Sequence, residues 1–129
     1  MNVAINGFGR IGRSVFRILE NVTGIDVVAI NDLFDYEALR YLLDYDTVMG
    51  PFGKALKLED GHLVTAKSRV KLVSERNPAD IPWKELGVDA VVDKEANMEV
   101  DTAMTKDIKN LRLVNLNGYN NLCKTIIIK

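Results

Sequence analysis

The 129-residue chain has one cysteine, three prolines and one histidine, and its charged residues nearly cancel to a net charge of −1. A single cysteine excludes an internal disulfide and is typical of a reducing compartment, which predicts a cytoplasmic location. Because there is no basic excess, we do not expect binding to nucleic acid or to an acidic membrane surface. The apolar runs are far shorter than the roughly 20 residues that span a bilayer. A chain of this length can bury about two-thirds of its unfolded surface, so we expect one soluble globular domain.

What the chain does have is a glycine pattern between two apolar segments near its amino end. Val3–Ile5 suits a strand buried on both faces, and Gly7–Gly12 follows it with the spacing G-x-G-x-x-G. Val15–Leu19 then carries apolar residues at helical spacing. A second apolar run, Val27–Ile30, ends at Asn31-Asp32, about twenty residues beyond the last glycine. This order predicts a strand, a tight turn, a helix and a second strand that ends at an acidic side chain.

Each part of this pattern has a physical role if the ligand is a dinucleotide. Gly7 permits the tight turn, Gly9 lets a diphosphate approach the backbone, and Gly12 allows the helix to pack closely against the strand. The helix amino end presents unpaired N–H groups and a partial positive charge to the phosphates. Asp32 can accept hydrogen bonds from an adenosine ribose and would repel a 2′-phosphate, which favours NAD over NADP. The alternative is a glycine-rich turn that holds no ligand.

Three longer segments resemble the phosphorylating glyceraldehyde-3-phosphate dehydrogenases. They read NVAINGFGRIGRSVFRIL, VVAINDLFDYEALRYLLDYDTVMGPF and LVSERNPADIPWKELGVDAVVD, with a DGHLV turn before the third, and the resemblance runs from Met1 to Asp93. Erythrose-4-phosphate dehydrogenases share most of these motifs. The resemblance implies an α/β fold of Rossmann type, with a doubly wound, mostly parallel sheet and a small antiparallel hairpin excursion near residues 53–74. It also implies NAD as cofactor and, for a complete enzyme, NAD-dependent oxidative phosphorylation of glyceraldehyde 3-phosphate.

The candidate cofactor-binding residues come from the amino-terminal stretch and from one later strand end. By resemblance, Arg76 lies beside the adenine with Glu75 close by, although a plain surface charge pair remains the alternative there. No residue is assigned to a catalytic role or to a metal. The full candidate set is Asn6, Gly7, Gly9, Arg10, Ile11, Gly12, Asn31, Asp32, Glu75 and Arg76.

Periodicity also predicts the elements that complete the fold. Asp35–Val48 reads as a helix whose Leu39, Leu42, Leu43 and Tyr45 belong to the core. Asp60-Gly61 supplies a hairpin turn, and His62 directly after it is expected to be an exposed hairpin histidine rather than a catalytic base. Further expectations are a turn pinned by Trp83, a buried strand at 88–92, a helix at 93–110, and strands at 111–116 and 125–128 separated by a turn.

The carboxyl-terminal part departs from the resemblance. Where the family has a Cys/Ser-Thr-Gly segment near the cofactor, this chain reads Asp93–Asn97, so residues 94–129 are expected to be atypical within one dinucleotide-binding domain, 1–129. The family's nucleophile lies in S-x-C-T-T-N-C, which Cys123 echoes only superficially, and we expect Cys123 to be a packing residue. With the catalytic domain absent, this chain should bind NAD or its adenosine part and turn over nothing.

A second hypothesis is a non-catalytic interaction module on the same fold, serving assembly, regulation or the binding of adenosine-bearing ligands or RNA. The near-neutral charge weakens the RNA alternative, because such binding depends on neutralising phosphates. The sequence leaves the oligomeric state open, with self-association as one alternative, since a sheet separated from a partner domain exposes apolar surface.

Overall fold

The described residues form an α/β fold around an eight-stranded sheet. The computed structural model describes residues 1–46, 50–77, 80–93, 112–114 and 125–128. In chain order its elements are β1 (Asn2–Asn6), α1 (Arg10–Leu19), β2 (Asp26–Asn31), α2 (Tyr36–Asp44), β3 (Tyr45–Asp46), β4 (Gly50–Pro51), β5 (Lys57–Glu59), β6 (His62–Val64), β7 (Arg69–Val73), β8 (Ala90–Asp93), β9 (Arg112–Val114) and β10 (Thr125–Ile128).

The strands follow the order β5-β6-β7-β2-β1-β8-β10-β9, and β3 pairs with β4 in a separate two-stranded sheet. The centre of the main sheet is parallel, from β7 through β2 and β1 to β8. Antiparallel pairs extend it on both sides. The predicted Rossmann-type α/β fold is confirmed, and the carboxyl ends of β1, β2 and β7 meet at one edge of the sheet.

Both faces of the parallel centre are covered, as its almost uninterrupted apolar strands require. Val3 and Ile5 of β1 pack on one face in a cluster that includes Phe16 of α1. Ala4 faces the opposite way, into a second cluster around Trp83, which is only 1% exposed. The expectation that Trp83 pins its turn to the core is therefore confirmed. The buried strand predicted at 88–92 is β8, which begins two residues later, at Ala90.

The predicted hairpin excursion is confirmed. Asp60 and Gly61 both adopt left-handed backbone conformations, with φ of 51° and 70°, which suits a two-residue turn between β5 and β6. His62 follows this turn as expected but is half-buried, and its Nδ1 lies 2.8 Å from the Asp60 carbonyl oxygen. On the edge strand, a hydrogen bond from Lys57 lowers the pKa of the Glu59 carboxyl below its ordinary value. The chain then returns to the main sheet through β7, which runs parallel to β2.

Helix α2 is shorter than the predicted 35–48 and buries fewer of its residues. The Asp35 carboxylate caps it by accepting a hydrogen bond from the Ala38 amide, and it ends at Asp44; residues 47 and 48 lie outside the described residues. The core prediction is right for Leu39 and Leu43. It is wrong for Leu42 and Tyr45, which are 38% and 60% exposed. The buried pair is spaced i, i+4 on one helix face, whereas Leu42 is rotated away from that face and Tyr45 follows the helix end.

Only two short strands of the carboxyl-terminal part are described. Residues 112–114 and 125–128 form β9 and β10, within the two predicted strand segments, and β10 pairs antiparallel with β8. The helix predicted at 93–110 does not begin at Asp93, which is the last residue of β8. Its remaining residues, the turn at 117–121 and Cys123 lie outside the described residues.

Hydrogen bonds join the loop between β6 and β7 to the carboxyl end of α1. Lys67 donates hydrogen bonds from Nζ to the carbonyl oxygens of Leu19, Val22 and Ile25, at 2.7, 2.6 and 2.8 Å. Leu19 is the last residue of α1, so its carbonyl lies at the negative end of the helix dipole, whereas the Val22 and Ile25 carbonyls belong to the loop that follows. Beside them, the buried Glu20 carboxylate accepts hydrogen bonds from the hydroxyl groups of Thr65 and Ser68; these two bonds are 2.7 and 2.6 Å long.

We expect Lys67→Met to lower the free energy of unfolding by about 1–2 kcal/mol, since charge-assisted hydrogen bonds are lost while most of the aliphatic stem is kept. Urea denaturation followed by circular dichroism measures this change. Lys54→Met is the matched control, because within the described part of the chain Lys54 donates only to the exposed Asn21 side chain. Equal losses of unfolding free energy in the two variants would show that the three carbonyl contacts stabilise the fold no more than the single contact of Lys54 does.

Candidate nucleotide-binding site

The turn between β1 and α1 is shaped by its three glycines. Gly7 has φ of +94°, a conformation that side-chain-bearing residues rarely adopt. A Cβ on Gly12 would lie 2.2 Å from the Gly7 carbonyl oxygen, so only glycine allows α1 to start this close to the end of β1. A Cβ on Gly9, in contrast, would have nothing within 4 Å. The space above Gly9 is therefore open, as the close approach of a ligand to the backbone requires.

Among the residues that the structure describes, no side chain caps the unpaired amides at the amino end of α1. Gly9 is the N-cap residue and provides no side-chain hydrogen bond, and the first turn of the helix contains no acidic residue. The first amides of a helix have no intrahelical acceptor, and the helix dipole adds a partial positive charge there. Arg10 is exposed and Ile11 half-buried in this turn. The arrangement can receive an anion such as a phosphate.

Asp32, at the carboxyl end of β2, is bonded to this turn rather than standing free. Its Oδ2 accepts a hydrogen bond from the Phe8 amide at 2.7 Å, and its Oδ1 accepts one from the Phe34 amide at 3.0 Å. Each carboxylate oxygen has a further lone pair, so Asp32 can still accept from a ligand hydroxyl. The structure thus joins the glycine turn and the acidic side chain that sequence spacing placed together.

Asn31 braces three strand ends beneath these groups. Its Nδ2 donates to the Asn6 side chain at 2.9 Å and to the Glu75 carbonyl at 3.0 Å, and its Oδ1 accepts from the Glu75 amide at 2.8 Å. Asn31 is 8% exposed, so its amide is committed to the protein. These bonds hold the ends of β1 and β2 to the segment after β7, which fixes the floor of the site.

The remaining predicted residues lie at the same edge of the sheet. Glu75 and Arg76 follow β7 and are exposed, and Glu75 is placed by its backbone bonds to Asn31. The sequence analysis did not single out Leu33 and Phe34, which follow Asp32 and are 55% and 68% exposed. The sequence could have indicated them, because two adjacent apolar residues directly after the acidic end of a strand form an apolar patch when both are exposed.

A parallel sheet, an uncapped helix amino end above a glycine turn, and a carboxylate at the end of the next strand together define a dinucleotide-binding domain of Rossmann type. A family model described as "Glyceraldehyde 3-phosphate dehydrogenase, NAD binding domain" matches residues 1–102. The chain therefore belongs to this family. The expected cofactor, NAD, is confirmed by that membership, and the match extends past Asp93, where the sequence analysis placed its end.

Curated relatives agree with this assignment. The chain is 42% identical over 108 residues to a glyceraldehyde-3-phosphate dehydrogenase of Salmonella typhimurium, an alignment that covers 84% of this chain and 33% of the relative. It is 41% identical over 108 residues to glyceraldehyde-3-phosphate dehydrogenase A of Escherichia coli K12, with the same coverage. Identity to the Klebsiella pneumoniae enzyme is 43% over 104 residues, covering 81% of this chain and 34% of that one. The chain thus spans about a third of the length of these relatives.

Two glycine substitutions should separate the shape of the turn from its contact with ligand. Gly9→Ala adds a methyl group where the free protein has room, so we expect unchanged thermal stability and about tenfold weaker NAD binding, measured by isothermal titration calorimetry. Gly12→Ala places its methyl group against the Gly7 backbone and should lower the free energy of unfolding by about 1–3 kcal/mol. Wild-type affinity in Gly9→Ala would contradict the diphosphate position.

Proposed function

We propose that this chain is the NAD-binding part of a glyceraldehyde-3-phosphate dehydrogenase. One observation carries the proposal: the uncapped amino end of α1 lies next to Asp32. The Phe8 amide, in the turn before the helix, donates a 2.7 Å hydrogen bond to the Asp32 carboxylate. In the proposed complex, the diphosphate lies on the amides that follow Gly9, and the adenosine ribose donates hydroxyl hydrogen bonds to Asp32. Membership of the family and 42% identity to named dehydrogenases support this reading.

The adenine is proposed to lie at the edge formed by Glu75, Arg76 and the exposed Leu33 and Phe34. An aromatic ring and a guanidinium plane both offer favourable stacking surfaces to the flat π face of a purine. Asn31 and Asn6 contribute by bracing the strand ends beneath this region. The exposure of Leu33 and Phe34 supports the proposal, because a bound adenine would remove their apolar surface from water.

The proposed partner is a small nucleotide rather than nucleic acid, since the net charge of −1 offers no basic surface excess. Among the described residues, no helix is long and apolar enough to cross a membrane.

We further propose a cytoplasmic location and self-association of the isolated chain. The exposed Tyr41, Leu42 and Tyr45 at the end of α2 support self-association, which analytical ultracentrifugation measures.

Calorimetric titration with NAD and NADP tests the proposed role of Asp32. We expect NAD to bind at least about tenfold more tightly, because a 2′-phosphate would face the Asp32 carboxylate. Asp32→Ala should reduce that preference by weakening NAD. Asp35→Ala is the matched control, because Asp35 caps α2 and its loss should lower stability without changing the ratio of affinities. Equal binding of both nucleotides by the native chain would overturn the assignment.

The reaction of the family is proposed to need residues beyond this chain. We expect no NADH formation when the chain is incubated with glyceraldehyde 3-phosphate, phosphate and NAD, because the one histidine lies in the β5–β6 hairpin and Cys123 is proposed to be a packing residue. Absorbance at the NADH band measures the rate. A rate that disappears in Cys123→Ser would overturn this expectation, whereas a rate retained there would indicate a contaminating enzyme.

A further inference from the structure

We propose that Arg13, paired with Asp46, is a positioning residue that sets the glycine turn for the diphosphate. Neither residue belongs to the glycine pattern or to the candidate cofactor set, and the inference rests on the proposed nucleotide function. The link runs from the Asp46 carboxylate through the Arg13 guanidinium to the Phe8 carbonyl, in the middle of the turn.

Phe8 is the fixed point of the turn. Its amide donates to Asp32 at 2.7 Å, and its carbonyl accepts from Arg13 Nη1 at 3.1 Å. Its ring is 1% exposed and meets Phe16 edge to face, with 5.8 Å between ring centroids. Two of these three contacts act on the backbone, and they hold opposite sides of the residue. Since the next residue is Gly9, which has little conformational restraint of its own, the orientation of the amides that follow depends on how Phe8 is held.

Arg13 is itself held in place. It projects from α1 with its side chain 14% exposed, and its Nη2 lies 4.0 Å from Oδ2 of Asp46, whose side chain is 8% exposed. A guanidinium so little exposed to water is stable only with a nearby opposite charge and good acceptors. Asp46 supplies the charge and Phe8 supplies an acceptor. A rigid guanidinium can therefore fix the carbonyl direction, which a flexible, fully solvated side chain could not do.

Arg17 offers a matched control one helical turn further along α1. Its Nη2 donates to the Leu43 carbonyl, and its guanidinium lies over the Phe52 ring, 5.7 Å from the centroid. It thus ties α1 to the end of α2 and to Phe52, and none of these contacts is with the glycine turn. Arg13→Met and Arg17→Met remove the same group from the same helix, and a general loss of stability would follow from either.

The decisive measurement compares ADP, which carries the diphosphate, with adenosine, which does not. In Arg13→Met we expect ADP affinity to fall about tenfold, the order expected for loss of one charge-assisted hydrogen bond, while adenosine affinity stays unchanged. In Arg17→Met we expect the ratio of the two affinities to equal that of the native chain. Asp46→Asn keeps the side-chain shape and should change the ratio in the same direction by a smaller factor. Equal losses for both ligands in Arg13→Met, or no loss, would overturn the inference.

A second readout needs no ligand. Hydrogen exchange of the amides from Gly7 to Gly12 should be faster in Arg13→Met than in Arg17→Met under conditions where both are folded. Indistinguishable exchange in the two variants would overturn the inference even if NAD binds. Failure of the native chain to bind either ADP or adenosine would instead overturn the proposed function, so the two failures are distinguishable.

Discussion

The contact between the start of α1 and the end of β1 is the constraint on which the rest of the site depends. A side chain at position 12 would meet the Gly7 carbonyl at 2.2 Å, so the helix can begin where it does only because Gly12 has none. With the helix in that place, Phe8 is brought over the end of β2, where its amide meets Asp32. The same approach directs the uncapped amides of α1 into open space above Gly9. One missing methyl group therefore determines both the packing of the helix and the anion site.

Asp32 shows how the fold and the site share their polar groups. Its two hydrogen bonds to the Phe8 and Phe34 amides organise the turn without a ligand, so little rearrangement remains for binding. Asn31, one residue earlier, uses its whole amide to brace the ends of three chain segments. A substitution at either position would change the scaffold as well as any ligand contact. A loss of affinity there would therefore measure both effects together.

The local features of this structure could be predicted from the sequence, and the long-range ones could not. The glycine turn, the Asp60-Gly61 hairpin and the buried strands follow from short patterns whose physics lies within a few residues. The bond from Ser68 to Glu20 joins residues 48 apart, so no local period predicts it. For Asp32, the glycine pattern predicted a place near the turn, but not the bond from the Phe8 amide, 24 residues earlier. For α2, the periodicity gave a helix, but which leucines it buries depends on the sheet beside it, and Leu42 was misassigned for that reason.

The position of His62 limits what the described residues can do chemically. It lies on β6, which is separated from β1 by β7 and β2, so adjacent-strand spacings place its strand about 14 Å from the one that leads into the glycine turn. A proton transfer at a bound nicotinamide or aldehyde needs hydrogen-bond reach, which is about 3 Å. At the carboxyl edge of the sheet, the described groups discussed above are amide donors, carboxylates and an arginine, which are suited to holding a nucleotide. A base that acts on a substrate bound beside the glycine turn would therefore have to be a group other than His62.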